Sequence, residues 1–256
     1  VPSTGRYRGG VSANRGLRIE VGVMLAVTFG VSALVAVLQL ADAVLSGLPG
    51  YRVRLNPNQS RYDIINLGLN MVSAAQLVAW GALALYLLWR SGIGPPAIGL
   101  GRPRWRDDLP RGLGLAAFIG LPGLVLYFAS RALGLNAAVE PSGLHHSWWR
   151  IPMLVVAAFA NGFAEEVVVV GYLITRLRQI GFSQRRAVLA SAALRGTYHL
   201  YQGFGAGLGN LVMGVVFGYV WSRTGRLWPL VIAHGVIDTV AFVGYAVLSG
   251  HVGWLN

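Results

Sequence analysis

The sequence predicts an all-α, polytopic integral membrane helix bundle of about seven transmembrane helices with a cytoplasmic N-terminus. Three observations predict it. Hydrophobic residues make up 55% of the 256 and charged residues only 12%, where an ordinary soluble domain carries about 25% charged residues. Apolar runs recur at close to the roughly 20 residues that a helix needs to cross a bilayer. The arginines gather between alternate runs, the positive-inside pattern of membrane proteins. A soluble chain of this length could not cover its surface with so few charges.

The first run, 21–45, follows a basic cytoplasmic segment, 1–20, with Arg6, Arg8, Arg15 and Arg18. Ala41-Asp42-Ala43 resembles a cleavage site, but the apolar stretch before it exceeds the roughly 7–15 residues of a cleavable signal, so the run reads as a retained anchor. The second run is 64–89, and Asn66, Asn70, Ser73 and Gln76 form a polar stripe along it, read as interhelical hydrogen bonding. The Gly-, Pro- and Arg-rich stretch 90–111 reads as a cytoplasmic loop, with Asp107 and Asp108 solvated within it. The third run, 113–133, contains Pro122, which should kink it. The fourth is 152–175, preceded by His145, His146, Trp148 and Trp149 as loop and interfacial aromatic belt. The fifth and sixth, 187–201 and 207–222, are short. Asn210, Gly214 and Gly218 share one face of the sixth at spacing four, a small-residue packing surface. Gly203 to Gly209 is Gly-rich but follows no strand and lacks Gly-Lys-Ser/Thr, so it is no nucleotide loop. The seventh run is 229–248, with Pro229 in its first turn. Residues 250–256, with His251, form a tail. The transmembrane domain is thus a single unit, 21–249, without internal repeat.

Seven crossings with the N-terminus inside put Arg6 to Arg18, Arg90 to Arg111, Arg176 to Arg186, Arg223 and Arg226 in the cytoplasm, fifteen in all, against Arg52, Arg54, Arg61 and Arg150 outside. One helix more or fewer would break the alternation. The net charge of +12 therefore reports cytoplasmic loops and a lipid bilayer rather than nucleic acid. The chain has no cysteine and no lysine. Disulfides, thiolate nucleophiles, Cys-ligated metals, lysine Schiff bases and Ser–Lys dyads are excluded.

Six ionisable residues fall in the apolar runs: Glu165, Glu166, Arg195, His199, His234 and Asp238. A single Asp or Arg at a helix centre costs about 2.5–3.5 kcal/mol even on the lenient insertion scale, so intramembrane charges pair internally and mark function. At about 1.5 Å per residue, Glu165, His199 and Asp238 lie about 14–18 Å from the cytoplasmic ends of their runs, and His234 about 8 Å. They can meet in one layer. Arg195 with His199, and His234 with Asp238, are i,i+4 pairs, and Asn161 lies one turn before Glu165. Adjacent glutamates on a helix point about 100° apart, so Glu166 reads as the structural one of the two. A carboxylate beside a histidine can deprotonate water as general base and return the proton as acid. A second histidine with a carboxylate one turn away can stabilise a developing oxyanion. That is amide hydrolysis without a covalent nucleophile. Glu165, His199 and His234 could instead hold zinc with an open water position, as a metalloprotease does, although no H-E-x-x-H is present.

In these motifs the sequence resembles the CAAX-protease and bacteriocin-processing (CPBP, or Abi) family of intramembrane endopeptidases. That family carries Glu-Glu-x-x-x-Arg, Phe-x-x-x-His and His-x-x-x-Asn/Asp helices in this order. Here Glu165-Glu166, Arg195-Gly-Thr-Tyr-His199 and His234-Gly-Val-Ile-Asp238 stand in that order, over about residues 150–245. The resemblance implies that Glu165 activates water with His199 as partner, that Glu166 supports the site, and that His234 and Asp238 stabilise the oxyanion or bind a metal. It implies a membrane-anchored protein or peptide as substrate and a multi-pass location in the cell membrane. Prenylation of the substrate is an inference from the family name alone.

Two departures matter. Val170 stands where the motif has Arg, and Arg195 where it has Phe. An unpaired intramembrane Arg is costly. The expectation is therefore a relocation, in which Arg195 supplies the missing cation and pairs with Glu165 or Glu166. Two rival functions remain at this level: a catalytically inactive binding or immunity protein on the same fold, which loss of the motif Arg favours, and a proton-coupled transporter, since buried Glu, His and Asp also build proton relays. Against the transporter, no repeat symmetry is visible.

Overall fold

The computed structural model describes residues 5–144 and 146–248, with side chains from Asn14 onward. His145, His251 and the tail 250–256 lie outside the described residues. The elements in order are α1 (Gly5–Ala26), α2 (Phe29–Leu45), β1 (Arg52–Arg54), α3 (Asp63–Arg90), α4 (Trp105–Ala132), β2 (Ala138–Glu140), α5 (Arg150–Gln179), α6 (Gln184–Tyr198), α7 (Phe204–Thr224) and α8 (Trp228–Leu248). β1 and β2 pair in parallel. The protein is an all-α membrane helix bundle with this short ribbon at one end.

All seven expected apolar runs are helical. Among the described residues five helices, α3, α4, α5, α7 and α8, are long and apolar enough to cross a membrane, and α1 with α2 makes a sixth if the bent pair counts as one. The first run is broken at 27–28, where the two helices meet at 50°. Thr28 turns its hydroxyl back to Met24 O (2.6 Å), and a Cβ on Gly30 would collide with Leu25 O at 2.6 Å. A Gly beside a side chain inserted into the helical ladder is an ordinary cause of such a bend. The fifth expected run becomes α6 with only 15 residues, followed by a 3₁₀ turn at Leu200–Gln202. At about 22 Å it falls short of the roughly 30 Å hydrocarbon core.

The two ends of the bundle differ. At the arginine-rich end, Arg176 is fully buried, donating to Glu20 (2.8 Å), Ser91 (2.8 Å) and Leu87 O (2.7 Å). It was expected in a cytoplasmic loop, but its apolar stem and guanidinium instead tie α5 to α1 and α3. The loop 90–111 is also shorter than expected, because α4 starts at Trp105. Asp108 is not solvated. It is buried in the first turn of α4, accepts from Arg104 N (2.7 Å) and pairs with Arg226 ahead of α8. A carboxylate at a helix N-terminus is favoured by the exposed N–H groups there. At the arginine-poor end, Ala138 N donates to Tyr51 O (2.8 Å), Arg131 to Pro49 O (3.0 Å), and Trp149 Nε1 to Asp63 (3.0 Å). Trp148 is exposed as an interfacial aromatic would be, but Trp149 is buried by its bond to Asp63. Among the described residues the polar stripe of α3 bonds to no other helix. Asn66 serves Gln59 N (2.9 Å) and Asn58 (2.8 Å), Asn70 bonds back to Asn66, and Ser73 bonds to Gln59 and Leu69 O. The stripe fastens the 55–62 connection, whose backbone needs partners.

Close packing sets the rest. Gly214 and Gly218 of α7 face Ala192 and Val188 of α6, where an added Cβ would come within 2.8 Å in each case. The expected small-residue surface is therefore the α6–α7 contact. Gly162 of α5 and Gly235 of α8 let those helices approach just as closely.

Candidate active site

α5 is the central helix, and residues 166–172 within it form a π turn. Val167–Val170 is a run of β-branched residues of modest helix propensity. The carbonyls disturbed by the wider turn find hydroxyls, Ser191 Oγ on Val169 O (2.6 Å) and Thr175 Oγ1 on Gly171 O (2.6 Å). π turns recur at functional sites, and this one begins at Glu166.

Glu165, Glu166, Arg195 and His234 are all buried, with 3%, 0%, 0% and 3% of their surfaces exposed. Arg195 Nη2 donates to Glu166 Oε1 at 2.6 Å and its Nη1 stands 3.9 Å from Glu165 Oε2. The expected partner of Arg195 is thus in contact with it. His234 Nδ1 meets Glu166 Oε1 at 2.7 Å. A carboxylate paired with a guanidinium only accepts, so this nitrogen carries the proton. His234 Nε2 then faces Asp238 Oδ2 at 3.6 Å, and Asn161 Nδ2 donates to the same oxygen at 2.9 Å. Gly162 makes this possible, because its Cα side lies against Gly235 N.

His199 caps α6. Its Nδ1 donates to Arg195 O at 3.0 Å, which leaves the Nε2 lone pair facing Glu165 Oε1 at 4.0 Å. The other oxygen of Glu165 is occupied, since Tyr198 donates to Oε2 at 2.6 Å. Tyr198 is the residue that sequence reasoning missed. Tyrosine in an apolar run reads as core, but Tyr198 lies three residues after Arg195 and so shares its face. Its ring packs against Phe29 of α2, centroids 4.9 Å apart. All seven residues singled out from the sequence are brought together here, and Glu166 joins the contact layer instead of pointing away.

Zinc was an expectation for Glu165, His199 and His234. Among the described residues no group of three His, Asp or Glu side chains is arranged to hold a metal ion. His234 turns Nδ1 to Glu166 and Nε2 to Asp238 rather than toward the Glu165–His199 gap. In this arrangement Glu165, His199 and His234 do not converge on one point.

Beside Tyr198 lies a cavity of about 460 Å³, bounded by α2, β1 and Tyr201. It opens at the arginine-poor end. The arginine-rich end carries the buried Arg176 and Asp108 clusters and a second hollow of about 320 Å³ beside Arg111, Val220 and Pro229.

Residues 147–240 match the family model described as type II CAAX prenyl endopeptidase Rce1-like. The match begins just ahead of α5 and ends within α8, so it spans all seven site residues. The resemblance to CAAX proteases holds over this segment, which lies in a multi-pass membrane protein. Comparisons with curated proteins and with solved structures find no match.

Proposed function

We propose that this protein is an intramembrane endopeptidase of the CAAX-protease type. In the cell membrane it would hydrolyse a peptide bond of a membrane-anchored protein or peptide. The observation that carries the reading is the pair of acceptors, Glu165 Oε1 and His199 Nε2, 4.0 Å apart in a buried layer. A water with hydrogen bonds of about 2.8 Å to each bridges acceptors about 4 Å apart. Glu165 takes one proton from that water, and His199 orients it through the second O–H. The hydroxyl oxygen bonds to the scissile carbonyl carbon. His234, held between Glu166 and Asp238 with both ring nitrogens engaged, acts on the oxygen that becomes negative through its charge when protonated and not as a direct donor. Glu165 then delivers its proton to the amide nitrogen, the C–N bond breaks, and a carboxyl and an amine leave. Arg195 offsets the charge of the two glutamates. The contact of Arg195 with Glu166 supports the active reading over an inactive relative, because a cation is present from α6 where Val170 offers none.

The test is cleavage of fluorogenic prenylated and unprenylated membrane peptides by purified protein in nanodiscs, with wild type and Glu165→Gln compared, with and without a chelator. Loss of a base is expected to cost about 10²–10⁴ in rate, with no chelator effect. Inhibition by the chelator would replace carboxylate chemistry with metal chemistry. Equal turnover by wild type and Glu165→Gln would end the peptidase reading of this site and leave the binding-protein reading.

A further inference from the structure

β1 spends only half of its backbone on β2. Tyr51 O accepts from Ala138 N (2.8 Å) and Leu55 N donates to Glu140 O (3.1 Å). With Arg52 opposite Ala138 and Arg54 opposite Glu140, a parallel ladder runs through residues 51, 53 and 55 of this strand. The N–H and C=O groups of Arg52 and Arg54 point the other way and have no hydrogen-bond partner among the described residues. An unpaired strand edge is a template for another strand.

What this edge borders gives it a use. The cavity of about 460 Å³ runs along it, with Val31 and Val35 of α2 on the far side and Tyr198 and Tyr201 at its inner wall. Tyr198 is the donor to Glu165 (2.6 Å). A chain lying along β1 is therefore one side chain away from the candidate catalytic carboxylate. Charge narrows the occupant. Arg52 and Arg54 share the single carboxylate of Glu140, at 3.0 and 2.5 Å, and their side chains remain 66% and 62% exposed. On the β1 side of the mouth two guanidiniums thus face one carboxylate, while Asp42 accepts from Tyr51 (3.3 Å) on the α2 side. Val53, between Arg52 and Arg54, packs against the apolar cluster of Leu40, Ala43, Leu48 and Ala137.

We propose that the free edge of β1 binds an extended, acidic segment of the substrate, which adds a third strand along the cavity and leads the chain to Glu165. Main-chain hydrogen bonds to residues 52 and 54 give affinity, as in other strand-addition complexes. Side chains of the added strand alternate, so acidic residues at every second position face Arg52 and Arg54, and apolar ones between them face Val31 and Val35. The destination of the chain rests on the peptidase reading above, whereas the binding itself does not.

The probe is a fluorescent octapeptide of alternating Val and Glu, with two controls: Gln in place of each Glu, and N-methylation of alternate amides. Binding is followed by anisotropy with protein in nanodiscs of neutral lipid, in wild type and in Glu165→Gln, which should bind alike. The Gln peptide and the Arg52→Gln/Arg54→Gln variant should each bind about three- to tenfold more weakly, and the N-methylated peptide should lose measurable binding. Glu140→Gln frees both arginines and should bind severalfold more tightly. A merely structural β1 would give the opposite sign for Glu140→Gln. Binding of the N-methylated peptide equal to the parent, or weaker binding by Glu140→Gln, would overturn the proposal. Binding in this pattern with no cleavage of any peptide by wild type would instead leave the docking edge standing and count against the peptidase reading. Cleavage of other peptides without binding of this one would do the reverse.

Discussion

In Arg195→Leu the guanidinium 2.6 Å from Glu166 is gone, and Glu166 keeps its charge in a position with no exposed surface. Three facts set the size of the effect. The bond is charge-assisted, and such bonds contribute about 1.5–3 kcal/mol. Both partners are fully buried, and removing one member of a buried pair costs about 3–5 kcal/mol because the other charge is left uncompensated. Glu165, 3.9 Å from Nη1, loses its nearest cation as well. The expected loss of unfolding free energy is therefore about 3–5 kcal/mol, or roughly 10²–10⁴ in the folded-to-unfolded ratio. The assay is reversible unfolding in mixed micelles, followed by tryptophan fluorescence. Two companions make the attribution specific. Arg195→Lys keeps the charge but loses the planar fork, and should fall between wild type and Leu. Arg195→Leu with Glu166→Gln removes both charges and should recover most of the stability, since a neutral buried replacement is often close to neutral in energy. If Arg195→Leu unfolds within 1 kcal/mol of wild type (about fivefold in the equilibrium constant), the pair does not carry a buried charge and the reasoning fails.

Four further outcomes are expected. Tyr198→Phe removes the donor to Glu165 Oε2 but keeps the ring against Phe29. Turnover should drop about 10- to 100-fold and unfolding free energy should fall by about 1.5–3 kcal/mol, the worth of a hydrogen bond to a charged group, and an unchanged kcat would remove Tyr198 from the site. Gly162→Ala places a methyl 2.9 Å from Gly235 N. It should separate α5 from α8 at a cost of about 1–3 kcal/mol and impair cleavage, because Asn161–Asp238 and Glu166–His234 span that contact; full activity would show that the spacing is not critical. The exchange Val170→Arg with Arg195→Phe restores the motif arrangement and should retain activity, and a dead double variant from two working single variants would contradict relocation of the cation. Glu140 is held below its ordinary 4.5 by the Arg54 and Arg52 guanidiniums. Its folded pKa is depressed, so the stability it adds is present above pH 4.5 and fades as pH falls through the lower folded value. Thermal unfolding of wild type and Glu140→Gln should therefore converge at acid pH, and a gap that persists there would reject the coupling.

What the sequence by itself determined follows from short-range rules. Apolar length and arginine spacing are local properties, and they located the apolar helices and sorted the loops into two ends, but they missed most of α1, which begins at Gly5 within the segment read as cytoplasmic. The i,i+4 pairs Arg195–His199 and His234–Asp238 were legible because a helix places such residues on one face, and the cost of lone intramembrane charge made their meeting a physical expectation. Tertiary structure decided which atoms meet. The π turn at Glu166 arises where four consecutive valines pack in the centre of the bundle, and no periodicity announces it. Tyr198 became a donor because α6 ends beside Glu165, and Asp108 became buried because Arg226 arrives from a loop 118 positions away. The open end of the cavity was likewise decided by loops, since β1 and β2 are three-residue strands that pair across 86 positions of sequence. Contacts of this range depend on how whole helices stack, and helix stacking is set by where glycines such as Gly162 and Gly214 allow two backbones to touch.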